Sequence, residues 1–285
     1  MKEIYQCRVC GSTNTKNLGA LPKQTQFAGR LLVQKLPESF LYQCGECLLL
    51  VRDPILSTSQ YNVLYEKASS EVWSASNAAL RFDQMLVRNF ILKRNKCNCK
   101  ILDVGCYTAE LLSSLPETYA KYGIELSQEA ASVATKRGIK IIGNDLYEIA
   151  TTEKFDVITA VDVIEHTQNP DEFIKKLMTF LEPQGQLILS TGNTDSWLWS
   201  ILKNRFWYSK FPEHISFIGD NWLNNFCVNN NFNIIDKHSF SYSPTDLRSV
   251  IKNIAKCTLS LMHINPEKFS NTTRDHFCFV IRKNT

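Results

Sequence analysis

The chain has no apolar run approaching the ~18 uninterrupted residues of a membrane-spanning helix. Its opening, MKEIYQCRVCG, lacks the apolar core of a secretion signal, so a cytoplasmic location is the expectation. It also lacks long blocks of one charge. The 32 basic and 28 acidic residues are interspersed and leave a formal charge of +4, which pulls only weakly on nucleic acid or anionic lipid. Glycine is scarce where it would be most telling. After the strand-like run at 100–104 there is no G-x-G-x-x-G, because Tyr107 and Ala109 stand where the second and third small residues would be sought. A dinucleotide pyrophosphate then has no evident cradle, which argues against a nicotinamide oxidoreductase.

Ten cysteines are present, and without a signal sequence they read as thiols or metal ligands rather than disulfides. Cys7 and Cys10 form one C-x-x-C knuckle, Cys44 and Cys47 a second, and each is accompanied by a glycine that permits a tight turn. Four thiolates so arranged can close a tetrahedral zinc shell with no open position, so the expected Zn2+ is structural. The plain alternative is a set of core cysteines. A segment of about fifty residues buries too little apolar surface to fold well alone, and a bound metal would contribute on the order of 10 kcal/mol to ordering it.

After Pro54, which should end a strand, the residues from Ser59 onward are helix-compatible, with Leu80, Phe82, Leu86, Phe90 and Ile91 near one helical face. Tyr61, Tyr65 and Trp73 are candidates for a pocket wall, or are ordinary core. The stretch KILDVGCYTAELL from Lys100 to Leu112 reads as strand, tight turn and helix. About twenty positions on, YGIEL places Glu125 at a second strand end, where a carboxylate can accept two ribose hydroxyls. Apolar runs at 100–104, 119–124, 139–142, 155–161 and 186–190 alternate with helical stretches, and further runs at 232–235 and 276–281 would complete seven strands. The organisation expected is a zinc module over 1–55, a helical connector over 56–97 and an α/β domain over 98–285.

ILDVGCYTAELL, GIELS, NDLYEI and FDVITAVDVIEHTQNPDEFIKKLMTFLEPQGQLILST resemble the successive motifs of class I S-adenosylmethionine-dependent methyltransferases. The resemblance implies a Rossmann-like seven-stranded sheet whose last strand inserts antiparallel beside the fifth. The family usually writes its first loop D-x-G-C-G-x-G, from which Tyr107 and Ala109 depart. By this resemblance Asp103, Gly105 and Cys106 lie near the amino acid end of S-adenosylmethionine, and Glu125 and Leu126 at the ribose. Asn144, Asp145 and Leu146 would meet adenine, and Asp162 and His166 the methionine end. Each has a structural alternative: Asp103 a helix cap, Asp145 a turn residue, His166 a loop anchor.

The aromatic segment TGNTDSWLWSILKNRFWYSKFPEHISFIGDNWL resembles the W-x-x-x-x-x-P-E-H-x-x-F stretch of methyltransferases that modify sugars. A sugar hydroxyl is a poor nucleophile, so a base is wanted, and His214 is the first candidate unless it and Glu213 only pin the loop. The acceptor expected is a small molecule, a nucleotide-linked or surface-glycan saccharide, methylated on oxygen or carbon. A zinc-module RNA methyltransferase and a non-catalytic cofactor-binding scaffold are the alternatives, a nucleic-acid partner is disfavoured, and pairing into a homodimer is left open.

Overall fold

In the computed structural model, which describes residues 5–33, 35–66, 80–94, 98–241 and 274–284, the chain begins with short strands. These are β1 (Thr15–Ala20), the hairpin of β2 (Gln26–Phe27) and β3 (Arg30–Leu31), β4 (Phe40–Cys44) and β5 (Leu50–Asp53). β4 and β5 pair antiparallel across the second cysteine knuckle. β5 stops at Asp53 because Pro54 offers no N–H to the ladder.

Two helices follow, α1 (Thr58–Glu66) and α2 (Phe82–Arg94). Trp73 lies outside the described residues. The buried side of α2 is Asp83, Val87 and Ile91, one turn apart, whereas Phe82 is exposed and Leu86 and Phe90 flank the core. The helix is therefore rotated from the face its apolar residues suggest. An aspartate can occupy the inward face because Arg81 meets its carboxylate at 2.9 Å.

The βα alternation then gives β6 (Lys100–Val104), α3 (Glu110–Ser113), β7 (Ala120–Ile124), α4 (Gln128–Lys136), β8 (Lys140–Gly143), β9 (Phe155–Val161), α5 (Pro170–Thr179) and β10 (Leu181–Gly192). After them come α6 (Trp197–Leu202), β11 (Ser216–Phe217), α7 (Asp220–Asn229), β12 (Phe232–Phe240) and β13 (His276–Lys283). Local signals set the helix starts. Ser127 accepts from the N–H of Ala130 to cap α4, and Asn169 accepts from Glu172 to cap α5, with Pro170 in its first turn.

Seven strands form one sheet in the order β12-β13-β10-β9-β6-β7-β8. β13 runs antiparallel between β10 and β12, and the strands from β10 to β8 are mutually parallel. This is the sheet expected from the sequence, with β10 and β12 longer than their apolar runs. Both faces are covered: Leu102, Ile158 and Leu189 pack on one side, Ile101, Val157 and Ile188 on the other. Such double burial explains why these strands read as continuous apolar runs rather than alternating ones. The strand order reverses between β6 and β9, so the carboxyl ends of β6, β7, β8 and β9 frame the crevice where open α/β sheets hold ligands.

A second sheet has the order β1-β4-β5-β11. Its last strand comes from the segment after β10, with Ser216 opposite Val51 and Phe217 opposite Leu50. The expected boundary at residue 55 thus separates segments that hydrogen-bond to each other. Among the described residues no helix is long and apolar enough to cross a membrane.

Candidate active site

The turn after β6 is built without the usual glycines yet keeps a glycine-like path. Gly105, Tyr107 and Ala109 have φ of +70°, +49° and +67°. The last two are non-glycine residues held in the left-handed region, a strain of about 1–3 kcal/mol each that neighbouring bonds must offset. The loop's own contacts do so: Gly105 N–H donates to Ile124 O at 2.9 Å, and Tyr107 N–H donates to Glu125 Oε2 at 2.8 Å. At Gly105 a side chain is also sterically barred, because a Cβ would stand 2.7 Å from Val163 Cγ2. Cys106 is buried beside Gly123, and that burial pushes its thiol pKa up.

Asp103, at the end of β6, is buried and accepts from Thr159 Oγ1 at 2.6 Å. Burial raises its pKa to about 7, partly countered by the Thr159 bond and further raised by Glu125. It is a strand-end acid beside Glu125; among the described residues the four-residue α3 is capped by Ala109, with no side-chain hydrogen bond. Glu125 has each oxygen engaged once by a backbone N–H, Tyr107 on Oε2 and Ser127 on Oε1 at 2.8 Å. Burial raises its pKa and those two bonds oppose the rise. A carboxylate oxygen accepts more than one hydrogen bond, so both oxygens can still take a hydroxyl.

The third strand end is more open. Asn144 and Leu126 are exposed, and Asp145 Oδ1 accepts from Tyr147 N–H at 2.8 Å in a local turn. Leu146 is buried in the main core at 5 % exposure, so its side chain has little surface to lay against a ring. The strand-end neighbours Leu126, Asn144 and Asp145 remain available for that contact.

Beyond β9 the site is acidic and buried. Asp162, at φ +53°, accepts from Arg81 Nη2 at 3.0 Å on Oδ2, while Oδ1 is buried without a partner among the described residues. Its pKa is raised to about 8, by burial first and then by Glu165 and Asp83. Glu165 is buried and accepts from Thr191 Oγ1 at 3.0 Å and from the Tyr208 hydroxyl in a short bond. Burial raises its pKa, and those hydroxyls oppose the rise.

His166 and His214 meet edge to face with ring centroids 5.0 Å apart. His214 Nδ1 lies 2.9 Å from the carbonyl oxygen of Tyr208, and His166 Nδ1 lies 3.0 Å from that of Glu213. A carbonyl only accepts, so Nδ1 of His214 carries the proton and its Nε2 keeps a lone pair, whereas Nδ1 of His166 is shared between the Glu213 carbonyl and the Tyr65 hydroxyl. Burial lowers both pKa values, that of His214 strongly, with His166 and Arg52 adding to the effect. Both imidazoles are therefore neutral at physiological pH. The Tyr65 hydroxyl lies 2.9 Å from His166 Nδ1, and Tyr65 packs edge-on to Phe27 at 4.9 Å, so the N-terminal segment walls this end of the site. One ligand atom each of Glu165, His166 and His214 lie within 4.8 Å of one another, a spacing that a divalent cation could share.

The four sulfurs of Cys7, Cys10, Cys44 and Cys47 also lie within 4.8 Å of one another. Cys7 and Cys47 are 3.7 Å apart and Cys10 and Cys44 3.5 Å. A tetrahedral shell with metal–sulfur bonds of about 2.3 Å has edges of about 3.8 Å, so the spacing fits zinc.

Sequence reasoning missed several of these residues. Arg81 reaches Asp162 across 81 positions, which no local pattern signals. Tyr208 and Thr191 matter through Glu165, which adjoins His166 in the sequence; that adjacency was the available signal.

A turn after β6 that bends through left-handed angles at Gly105, Tyr107 and Ala109, an acid at the end of β7 and a sheet with one antiparallel insertion define a class I S-adenosylmethionine-dependent methyltransferase. Residues 78–237 match the family model described as a methyltransferase domain, and the chain belongs to that family. It is 24 % identical over 164 residues to a ubiquinone biosynthesis O-methyltransferase of Azoarcus sp. (strain BH72), covering 51 % of this chain and 69 % of that protein. To the protein of that description from Rickettsia conorii it is 30 % identical over 144 residues, 48 % of this chain and 47 % of the other. The chain thus spans between about half and two thirds of the length of these relatives. Among solved structures it superposes on the magnesium protoporphyrin IX methyltransferase of Synechocystis PCC 6803 with bound SAH at a TM-score of 0.54 and 14 % identity, covering 80 % of this chain and 100 % of that one. For the plantazolicin methyltransferase in complex with a triazolic desmethylPZN analog and SAH the TM-score is 0.53 at 17 % identity, covering 80 % and 95 %. At such identities the likeness is one of fold.

Proposed function

We propose that this chain methylates a hydroxyl oxygen of a small-molecule acceptor, with His214 as the general base. The observation that carries the reading is the tautomer: a buried imidazole whose Nδ1 is tied to the Tyr208 carbonyl keeps Nε2 ready to accept a proton. S-adenosylmethionine, when bound, supplies a methyl carbon that its sulfonium already makes electrophilic. Asp103 and Glu125 would hold its polar groups, with Leu126, Asn144 and Asp145 toward the base. Oδ1 of Asp162, which has no partner among the described residues, would take a donor from its amino acid end. As the acceptor oxygen bonds to the methyl carbon and the carbon–sulfur bond breaks, His214 Nε2 takes the hydroxyl proton.

A saccharide acceptor is supported by the exposed aromatic surfaces of Phe211, which packs on His214, and of Trp207, which packs on Phe211, since apolar ring faces pack on the C–H faces of sugars. A ring hydroxyl of a quinone precursor is the second reading, and the names of the curated relatives favour it. Cys7, Cys10, Cys44 and Cys47 would hold a structural Zn2+ at the base of a module over residues 1–55.

The test is transfer of labelled methyl from S-adenosylmethionine to panels of nucleotide-linked sugars and of catechols, alongside calorimetry with SAH. Absence of SAH binding would reject the enzyme, and SAH binding with no transfer to any acceptor would favour the cofactor-binding scaffold. Turnover that survives treatment with EDTA assigns proton removal to the imidazole alone; turnover restored only by Mg2+ assigns Glu165, His166 and His214 to a cation.

A further inference from the structure

Arg52 belongs to β5 of the small sheet, yet its guanidinium is directed at the loop that carries His214. It is 5 % exposed. Nε donates to the carbonyl of His214 at 3.0 Å, and Nη2 donates to those of Ser209 and Phe211 at 2.8 and 2.9 Å. Nη1 donates to the Ser39 hydroxyl at 2.7 Å. The backbone continues the same link. Arg52 N–H donates to Ile215 O at 3.0 Å, and Arg8 Nη2 donates to Arg52 O at 3.1 Å and to Ile215 O at 2.6 Å. Arg8 sits inside the first cysteine knuckle, between Cys7 and Cys10.

Burying a guanidinium is costly unless its donors are met, and an apolar residue would fill the same space with less desolvation. What an apolar side chain, or a lysine, cannot do is span three carbonyls from one rigid plane. The carbonyls of residues 209, 211 and 214 are the ones fixed. The same stretch supplies the Tyr208 carbonyl to His214 Nδ1 and the Glu213 carbonyl to His166 Nδ1. Both imidazoles are oriented by a backbone that Arg52 holds.

We infer that Arg52 is a positioning residue, which sets the two active-site imidazoles by clamping the backbone between Tyr208 and Ile215, and that Arg8 anchors this clamp in the cysteine knuckle. The inference deepens the proposed role of His214 and rests on it for the kinetic readout only.

Hydrogen–deuterium exchange of the full chain, followed by mass spectrometry, decides the structural part. Arg52→Met should speed exchange over 206–217 by about 10-fold or more while 128–143 stays protected, and Arg52→Lys by a smaller factor of about 3. Cys44→Ser should loosen the same 206–217 peptides without touching either arginine. In the kinetic part, kcat should fall at least ~10-fold in Arg52→Met with KM for S-adenosylmethionine and SAH affinity within about twofold, and Arg52→Lys should recover part of the loss. Unchanged exchange over 206–217 in Arg52→Met overturns the inference. If that variant does not fold, wild-type protection in Arg52→Lys overturns it equally. Parallel loss of SAH binding would mean general collapse and also count against it. A wild-type enzyme inert toward every acceptor would refute the proposed function and leave the exchange result to judge Arg52.

Discussion

The backbone N–H of Tyr107 donates to Oε2 of Glu125 at 2.8 Å, so the carboxylate at the end of β7 also closes the turn after β6. One side chain thereby does two tasks. It compensates a loop in which Tyr107 and Ala109 take left-handed angles without being glycine, and it stands where the cofactor's ribose hydroxyls are expected.

Glu125→Gln should expose this double duty. The amide keeps one acceptor oxygen, but its NH2 must face a backbone N–H of Tyr107 or Ser127. Leaving a buried donor unmet costs about 1–3 kcal/mol, so SAH affinity measured by calorimetry should fall about 10- to 100-fold.

Gly105→Ala combines a disfavoured φ with a contact of 2.7 Å to Val163 Cγ2. Destabilisation of about 1–3 kcal/mol is expected in chemical denaturation, with weakened SAH binding. Adding Val163→Ala should relieve the contact and leave the backbone strain, so the double variant recovers only part of the loss.

How far the sequence was legible follows from the range of the forces involved. The inner strands β6, β9, β10 and β13 were readable because residues buried on both faces leave unbroken apolar runs, whereas the edge strands β8 and β12, largely unburied, left only short ones. Glu125 and Asp103 were readable because a strand end is a local event. β11 was not, since two residues carry no pattern and its partner β5 lies far back in the chain. Asp83 and Arg52 were hidden for another reason: a buried charge looks like a surface one until its partners are in view.

His214→Gln should lower turnover by at least ~100-fold with SAH affinity within about threefold, if Nε2 takes the proton. Steady-state rates and calorimetry on one preparation check both halves. Unchanged turnover would reduce His214 to a loop anchor.

Asp103 has a folded-state pKa raised to about 7 by burial, against 3.8 ordinarily. The folded state holds a proton that the unfolded chain has released, so this group's contribution is full below pH 4 and is lost as pH rises through 7. Between pH 6 and 8 the loss is about 1.4 kcal/mol. The melting temperature without cofactor should therefore fall across that interval, and Asp103→Asn should flatten the decline.

Cys44→Ser should remove one equivalent of zinc by atomic emission and lower stability by several kcal/mol, out of a structural-site contribution on the order of 10 kcal/mol. Full zinc occupancy in that variant would contradict a four-sulfur shell.

The family match runs from residue 78 to residue 237, yet β13, wedged between β10 and β12, begins at His276, and the strand that completes the small sheet pairs with β5 near residue 50. What relatives hold in common is thus narrower than what must fold together. A fragment trimmed to the shared block would lose an interior strand of its sheet and leave β11 with no neighbour, so inheritance and cooperativity draw different borders on this polypeptide.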